Sequence, residues 1–183
     1  ELTVGVLGDG AADRVTLGGR RNIAALWKLQ VVFMVTNNQF GMGTALERSE
    51  SQTDLCVKAS AFGVKAIAAD GMDVVASHEA AKQARALAVA EGPVFVEFQT
   101  YRFRAHSMFD PELYRDKAEV EQWKTRGPIH TFSARLKAQG DLTEERFLAI
   151  DAEAAAEVDR AVAFAEAGTW EPVEDLAKEV YAP

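Results

Sequence analysis

The sequence is poor in cysteine, and its basic residues are outnumbered by acidic ones. Cys56 is the single cysteine among 183 residues, which excludes an internal disulfide framework and any zinc site built from several cysteines. Lysine and arginine number 20 against 28 aspartates and glutamates, giving a formal charge of −8. A nucleic-acid-binding surface needs an excess of basic residues, so we expect no nucleic-acid partner.

Long hydrophobic runs are also missing from the sequence. No stretch approaches the roughly 18 apolar residues of a membrane-spanning helix, and no polybasic patch suggests a membrane surface. We therefore expect no membrane partner. No signal or transit peptide is recognisable, so the bacterial cytoplasm is the default expectation for the compartment. An organelle is the alternative if a targeting segment once preceded Glu1.

Hydrophobic residues make up 48% of the chain, enough for a substantial core. Short, nearly continuous apolar runs are typical of parallel strands that are covered on both faces, and helical patterns separate these runs. The alternation predicts an α/β fold, a parallel sheet with flanking helices. The predicted strands are Leu2–Leu7, Val31–Val35, Val64–Ala68 and Pro93–Phe98, and the clearest predicted helix is Val74–Glu91 with an inward stripe that includes Val75 and Ala84.

The chain changes character after the last predicted strand. Residues 101–116 have no clean period and are rich in arginine and aromatic residues, which favours a loop at the carboxyl end of the sheet. Beyond this loop, alanine-rich helical patterns cover Lys117–Lys124, Ile129–Gln139 and Thr143–Ala167. We therefore expect two parts, a partial α/β domain over residues 1–116 and a helical C-terminal extension of it over residues 117–183.

Polar residues follow two of the predicted strands. Gly8-Asp9-Gly10 comes directly after the first strand, and Asn37-Asn38 ends the second. One helical crossover fits the gap between them, so both groups would meet at one edge of adjacent parallel strands. Carboxylate, amide and backbone carbonyl oxygens are the hard ligands that Mg²⁺ prefers, with phosphate oxygens completing the octahedron. Taken alone, Gly-Asp-Gly is weak evidence for such a site and favours an ordinary tight turn.

The spacing of these two groups resembles the thiamine-diphosphate-binding motif. The run from Asn38 to Thr44, Asn-Gln-Phe-Gly-Met-Gly-Thr, is similar to the corresponding segment of α subunits of 2-oxo-acid dehydrogenase E1 components. Four further motifs fit this family in the same order, and they are Asn22–Leu29, Asp70–Asp73, Thr100–Arg102 and the loop His106–Pro111 followed by Tyr114-Arg115. Met108 and Pro111 in that loop point to the pyruvate and acetoin types rather than to branched-chain members.

The resemblance implies roles for individual residues. Asp9, the Asn38 side chain and the backbone carbonyl of Phe40 match the Mg²⁺ ligands, while Gly10 and Ala11 match backbone contacts to the diphosphate. His106 matches a loop histidine that meets the diphosphate and borders the reaction centre. The implied fold is the thiamine-diphosphate-binding fold without its N-terminal part, and the implied cofactors are thiamine diphosphate and Mg²⁺.

The implied activity is oxidative decarboxylation of pyruvate, a small 2-oxo acid, with transfer of the acetyl group to a lipoyl-bearing E2. The implied partner is an E1 β subunit in an α2β2 heterotetramer, because the family's site is completed by that chain. We therefore expect the chain to be inactive alone. Two alternatives stay open: the α subunit of acetoin dehydrogenase, and a noncatalytic truncated remnant.

Residues 13–21 depart from the family pattern. A glutamate is expected near position 19, where this chain has Gly19, and Gly18-Gly19 would weaken a helix. The segment is either native or the product of a local frameshift, and reads of the gene through these codons distinguish the two. Phe40 stands at the usual tyrosine position, which matters little for a ligand that uses its backbone carbonyl.

Other polar residues have simpler interpretations. Cys56 is expected to be a small buried hydrophobic residue rather than a nucleophile. Arg102, Arg104 and Arg115 are either solvated or anchor the loop to acidic partners or phosphate.

Overall fold

A computed structural model describes residues 1–178 of the chain. One compact unit, Glu1–Ala134, contains a four-stranded sheet and a two-stranded ribbon. The sheet strands are β1 (Thr3–Gly8), β2 (Val31–Asn37), β5 (Lys65–Asp70) and β6 (Val94–Gln99), and the ribbon strands are β3 (Phe40–Gly41) and β4 (Thr44–Ala45). The sheet order is β1-β2-β6-β5 with every neighbouring pair parallel. The predicted parallel α/β architecture is confirmed.

Helices follow or separate these strands along the chain. Two of them, α5 and α6, have the bounds that the sequence pattern predicts. The helices are α1 (Asp9–Ala12), α2 (Val15–Leu26), α3 (Leu46–Ser49), α4 (Leu55–Ser60), α5 (Val74–Glu91), α6 (Lys117–Lys124), α7 (Pro128–Gln139) and α8 (Glu144–Glu166), and a 3-10 turn covers Val173–Asp175.

The inner strands β2 and β6 separate two hydrophobic clusters. Because side chains alternate along a strand, Phe33 and Phe95 contribute to the cluster on one face, together with buried residues of α1, α2 and α4. Val32 and Val96 contribute to the cluster on the other face, against the alanine stripe of α5. Both inner strands are thereby covered on two sides, and their carboxyl ends lie at one edge of the sheet.

The outer strand β1 differs from its prediction as a buried strand. Val4 and Val6 are 52% and 64% exposed, because β1 is an edge of the sheet and the described residues do not cover that face. On α5, Ala80, Ala84 and Ala88 are buried as the stripe predicts, whereas Val75 in the first turn is 37% exposed.

Most of the segment that departs from the family pattern still folds as a helix, because residues 15–21 belong to α2. Gly18 and Gly19 both lie inside α2, which buries Leu17, Arg21 and Ala24. A methyl group at position 18 would lie 3.3 Å from the ring of Phe62, whereas one at position 19 would have no neighbour within 4 Å. The two glycines therefore occupy different environments on the same helix.

Gly19→Ala is expected to raise the free energy of unfolding by about 0.5–1 kcal/mol, because alanine loses less backbone entropy in a helix interior. Gly18→Ala is the matched control, and its gain should be smaller or reversed by the contact with Phe62. Chemical denaturation of both variants measures this difference. Equal gains at the two positions would contradict it.

The second compact unit begins at Arg135. Within it, Thr143 caps α8 by accepting a hydrogen bond from Arg146 N at 3.1 Å, and Lys137 pairs with Glu144 at 2.6 Å. The predicted division of the chain between residues 116 and 117 stays a prediction. The last five residues of the predicted C-terminal extension, 179–183, lie outside the described residues. Within residues 1–178, no helix is both long and apolar enough to cross a membrane.

Candidate functional site

Asp9 is the first residue of α1, immediately after β1. It is only 3% exposed, and its Oδ2 atom is buried without a hydrogen-bond partner among residues 1–178. Burial raises the pKa of this carboxyl, and it outweighs the opposing effects of nearby backbone N–H groups and of the Arg102 charge. A buried carboxylate oxygen without a partner is costly in a folded chain, so this arrangement points to a ligand that supplies the missing interaction.

The turn after β2 carries the second group of candidate ligands. The Asn37 Oδ1 atom accepts a hydrogen bond from Gln39 N at 3.0 Å, and the Asn38 Oδ1 atom accepts one from Phe40 N at 3.2 Å. These two bonds bend the chain sharply, with Gln39 in the left-handed region at φ 71°. The turn then leads into the ribbon strand β3.

Close backbone contact brings the two groups together. A methyl group at position 10 would lie 3.4 Å from the Cα atom of Gly41, so the absence of side chains lets α1 approach β3. The register of β1 on β2 pairs Gly8 with Thr36, which sets the following residues, Asp9 and Asn37, at the same edge. The predicted meeting of Gly8-Asp9-Gly10 with the asparagine turn is thus present in the structure.

The donor set fits a hard divalent cation. Asp9 has a buried oxygen without a partner, and the neighbouring turn contains the Asn38 amide oxygen, which already accepts from Phe40 N, and the Phe40 carbonyl. Oxygen ligands of these types are the ones that Mg²⁺ selects. Gly10 is exposed and Ala11 is half-buried on α1, so the backbone next to Asp9 can be approached from outside.

His106 lies in the loop after β6 and is exposed. Its Nδ1 atom is 3.1 Å from the Arg102 Nη1 atom, and since a guanidinium only donates, Nδ1 must be the acceptor. Arg102 also donates to the carbonyl of Met42, in the β3–β4 turn, at 2.5 Å. The structure therefore connects His106 to the ribbon through Arg102, and no hydrogen bond joins His106 to Asp9 within residues 1–178.

Asp110 closes this loop on itself. Its carboxylate accepts hydrogen bonds from the backbone N–H groups of Glu112 and His106 and from the Tyr114 hydroxyl, at 2.7–2.9 Å. These bonds hold the pKa of the Asp110 carboxyl at about 2. The Tyr114 hydroxyl in turn accepts from Arg102 at 3.0 Å, so Asp110 and Arg102 share one network.

Arg115 anchors the loop from within. Its side chain is 1% exposed, donates to the carbonyls of Arg102 and Phe103, and pairs with Glu112. Behind it, an aromatic cluster places the Tyr101 ring on the Trp123 ring of α6, with ring centroids 5.1 Å apart. Arg102 and Arg115 are therefore anchors inside this chain rather than solvated side chains, whereas Arg104 is exposed.

Glu97 is a polar residue of this region that sequence reasoning missed. It is 4% exposed on β6, and its Oε1 atom accepts a hydrogen bond from Asn37 Nδ2 at 2.7 Å. The signal that could have identified it is a single charge inside an otherwise apolar strand. Glu97 and Asn37 line a cavity of about 790 Å³ at the carboxyl ends of β2, β5 and β6.

Cys56 lies beside this glutamate. Its thiol donates to the Glu97 Oε2 atom at 3.6 Å, and burial, together with the Glu97 charge, raises the pKa of the thiol to about 12. The thiol therefore stays protonated at neutral pH, which agrees with the expectation that Cys56 is not a nucleophile.

Comparison with known proteins places these features in a family. The family model described as "Dehydrogenase E1 component" matches residues 1–174, nearly the whole chain. The chain belongs to the dehydrogenase E1 component family. Family membership agrees with the motifs of the asparagine turn and of the His106 loop.

Similar curated proteins carry the name pyruvate dehydrogenase E1 component subunit alpha. The Rhizobium meliloti protein is 40% identical over 83% of this chain and 44% of its own length. The Rickettsia conorii protein is 39% identical over 96% of this chain and 54% of its own length. The testis-specific mitochondrial form of Rattus norvegicus is 37% identical over 99% of this chain and 46% of its own length. The chain thus spans about half the length of the curated relatives it matches.

Proposed function

We propose that the chain is part of the α subunit of a thiamine-diphosphate-dependent E1 component that acts on pyruvate. The buried, unpartnered oxygen of Asp9 beside the asparagine turn carries this proposal. Two facts support it further, the match to the E1 family and the names of the similar proteins. The proposed activity is oxidative decarboxylation of pyruvate with transfer of the acetyl group to lipoyl-bearing E2.

The side chains of the site have proposed roles that follow from their chemistry. Asp9 and Asn38 would hold Mg²⁺ with side-chain oxygens, and Phe40 would do so with its backbone carbonyl. Gly10 and Ala11 would meet the diphosphate with backbone groups, because neither residue has a side chain larger than a methyl group. Thiamine diphosphate, when bound, supplies the nucleophilic carbon and the electron sink for decarboxylation.

His106 is proposed to border the diphosphate and the reaction centre. Its Nδ1 atom accepts from Arg102, so the neutral ring carries its proton on Nε2 and can donate there. The loop network of Asp110, Tyr114 and Arg115 holds the backbone around His106, which limits the positions that the ring can reach. The chain's own residues would therefore bind the cation and the diphosphate, hold His106 in place and offer one proton donor, the His106 Nε2 atom.

The proposed partners are an E1 β subunit, in an α2β2 assembly, and a lipoyl-bearing E2. The similar proteins include bacterial and mitochondrial ones, and we propose the bacterial cytoplasm as the compartment, with the mitochondrion as the alternative. A noncatalytic remnant would share the fold but would not bind the diphosphate, so a binding measurement separates it from the proposed enzyme.

The test is Mg²⁺-dependent binding of thiamine diphosphate, measured by calorimetry on the chain co-expressed with an E1 β subunit and with any upstream coding sequence included. Asp9→Ala and Asn38→Ala should each weaken binding by more than about 100-fold, since changes that only touch the ligands' neighbours already cost 10–100-fold in typical metal sites. Asp13→Ala is the matched control, because the Asp13 side chain is 55% exposed and should not affect binding.

The outcomes decide between the enzyme and the remnant. Binding that depends on Mg²⁺ and is lost in both variants supports the enzyme. Unchanged affinity in both variants would reject the site, and no binding by the unsubstituted assembly would favour the remnant.

A further inference from the structure

Glu97 is a buried carboxylate on the central strand β6. It is 4% exposed, and its neighbours along the strand, Val94, Phe95 and Val96, are fully apolar and buried. The strand register sets Glu97 between Val35 of β2 and Ala68 of β5. A carboxylate in such surroundings is costly unless strong hydrogen bonds compensate for the lost water.

Two donors meet this carboxylate. The Asn37 side-chain nitrogen donates to the Oε1 atom at 2.7 Å, and the Cys56 thiol donates to the Oε2 atom at 3.6 Å. The first bond is short and has a charged acceptor, which makes it the stronger of the two. Glu97 therefore holds the Asn37 amide more firmly than it holds the Cys56 thiol.

The orientation of Asn37 determines the path of the turn. With its nitrogen held by Glu97, the amide oxygen of Asn37 faces the backbone N–H of Gln39 and accepts from it at 3.0 Å. The Asn37 backbone carbonyl accepts from Thr100 N at 2.8 Å, so the residue is held at its backbone as well. A continuous set of bonds thus runs from Glu97 through Asn37 to Gln39.

The turn held in this way carries Asn38 and Phe40, the proposed oxygen ligands next to Asp9. We propose that Glu97 is a positioning residue, which sets these two oxygens for cation binding by orienting Asn37. The inference rests on the proposed function, since it concerns the same cation site. In this proposal Glu97 acts through Asn37 and is not itself a ligand of the cation or of the diphosphate.

The experiment compares four variants in the assembly with the β subunit, with Mg²⁺ as the titrant at saturating thiamine diphosphate. Glu97→Leu removes the acceptor and should raise the half-saturating Mg²⁺ concentration by about 10–100-fold. Glu97→Gln keeps an oxygen that accepts from Asn37 and should stay within about threefold, a rescue that loss of packing alone would not predict. Cys56→Ala is the control for the other donor and should also stay within about threefold.

A variant with the same charge covers the possibility that Glu97→Leu does not fold. Glu97→Asp keeps the carboxylate but is one methylene shorter, so it cannot maintain the 2.7 Å bond to Asn37 and should weaken Mg²⁺ binding as Glu97→Leu does. Mg²⁺ affinity within threefold of the unsubstituted protein in Glu97→Asp or in a folded Glu97→Leu would overturn the proposal. Equal losses in Glu97→Gln and Glu97→Leu would also overturn it.

A second readout needs no cofactor and separates this inference from the proposed function. Hydrogen exchange, followed by mass spectrometry of a peptide over residues 37–44, should be at least about tenfold faster at the turn in Glu97→Asp than in Cys56→Ala, because Gln39 N loses a fixed acceptor. Faster exchange together with unchanged Mg²⁺ binding in Asp9→Ala would reject the proposed function alone. Unchanged exchange in Glu97→Asp, with binding lost in Asp9→Ala, would reject the positioning role alone.

Discussion

Replacing Asp9 with asparagine is expected to stabilise the cofactor-free chain and at the same time to abolish Mg²⁺-dependent binding of thiamine diphosphate. The Asp9 carboxylate is buried and its Oδ2 atom lacks a partner, so its charge opposes folding when no cation is present. A neutral amide at this position removes that charge. We expect the free energy of unfolding to rise by more than the roughly 0.5 kcal/mol that a surface substitution typically causes, because a neutral amide is less costly to bury than a carboxylate.

The stabilisation should depend on pH in a defined direction. Burial raises the pKa of Asp9 in the folded chain above the ordinary value of 3.8, so the folded chain takes up a proton before the unfolded chain does as the pH falls. The destabilising charge is fully present above the folded pKa and disappears as the pH falls through it towards 3.8. The advantage of Asp9→Asn should therefore be largest at neutral pH and should vanish in acid.

Two measurements on the same variants check this prediction. Thermal unfolding of the cofactor-free protein, measured at neutral pH and again at stepwise lower pH towards 3.8, gives the stability difference. Calorimetry with Mg²⁺ and thiamine diphosphate, on the same variants co-expressed with an E1 β subunit, gives the binding. Asp13→Asn is the matched control, because Asp13 is exposed and should change neither quantity by much. A less stable Asp9→Asn variant at neutral pH would contradict the argument.

Phe95→Ala is expected to lower the free energy of unfolding by about 3–5 kcal/mol, the typical cost of deleting a buried aromatic ring. Phe95 is 0% exposed on the inner strand β6, and it packs in the cluster that joins β2 to α2 and α4. The cavity left behind cannot collapse easily, because backbone on two neighbouring strands fixes the surroundings of the ring.

Phe109→Ala is the control for this substitution. Its ring is 91% exposed in the His106 loop, so the same change in side chain should alter stability by no more than about 0.5 kcal/mol. Urea denaturation of both variants, followed by circular dichroism, measures the two losses. A loss in Phe95→Ala that is as small as in Phe109→Ala would show that this cluster does not support the fold.

The motif at the candidate cation site was predictable because it depends on local order along the chain. Gly8-Asp9-Gly10 and Asn37-Asn38 each follow an apolar run, and parallel strands bring such ends to one edge. Helix bounds were predictable where caps and periodicity agree, as at α5, which Asp73 caps. Patterns of this kind depend only on the order of residue types, so they can be recognised from the sequence alone.

Other features arose from contacts between distant parts of the chain. The bond between Glu97 and Asn37 joins residues 60 positions apart, and no local pattern indicates which buried polar groups will meet. The loop arginines could equally have been solvated, and Arg115 is an internal anchor only because two carbonyls and Glu112 surround it. The exposure of Val4 and Val6 likewise depended on which strand forms the edge of the sheet.

The sequence by itself therefore determined the α/β class, the family resemblance and the identity of the candidate ligands, because strand periodicity and motif spacing are local properties. Only the tertiary structure decided which oxygen of Asp9 lacks a partner, how the asparagine turn is held and what fixes the His106 loop. Burial and hydrogen bonding are determined by the whole packed chain, so neither can be read from any single segment.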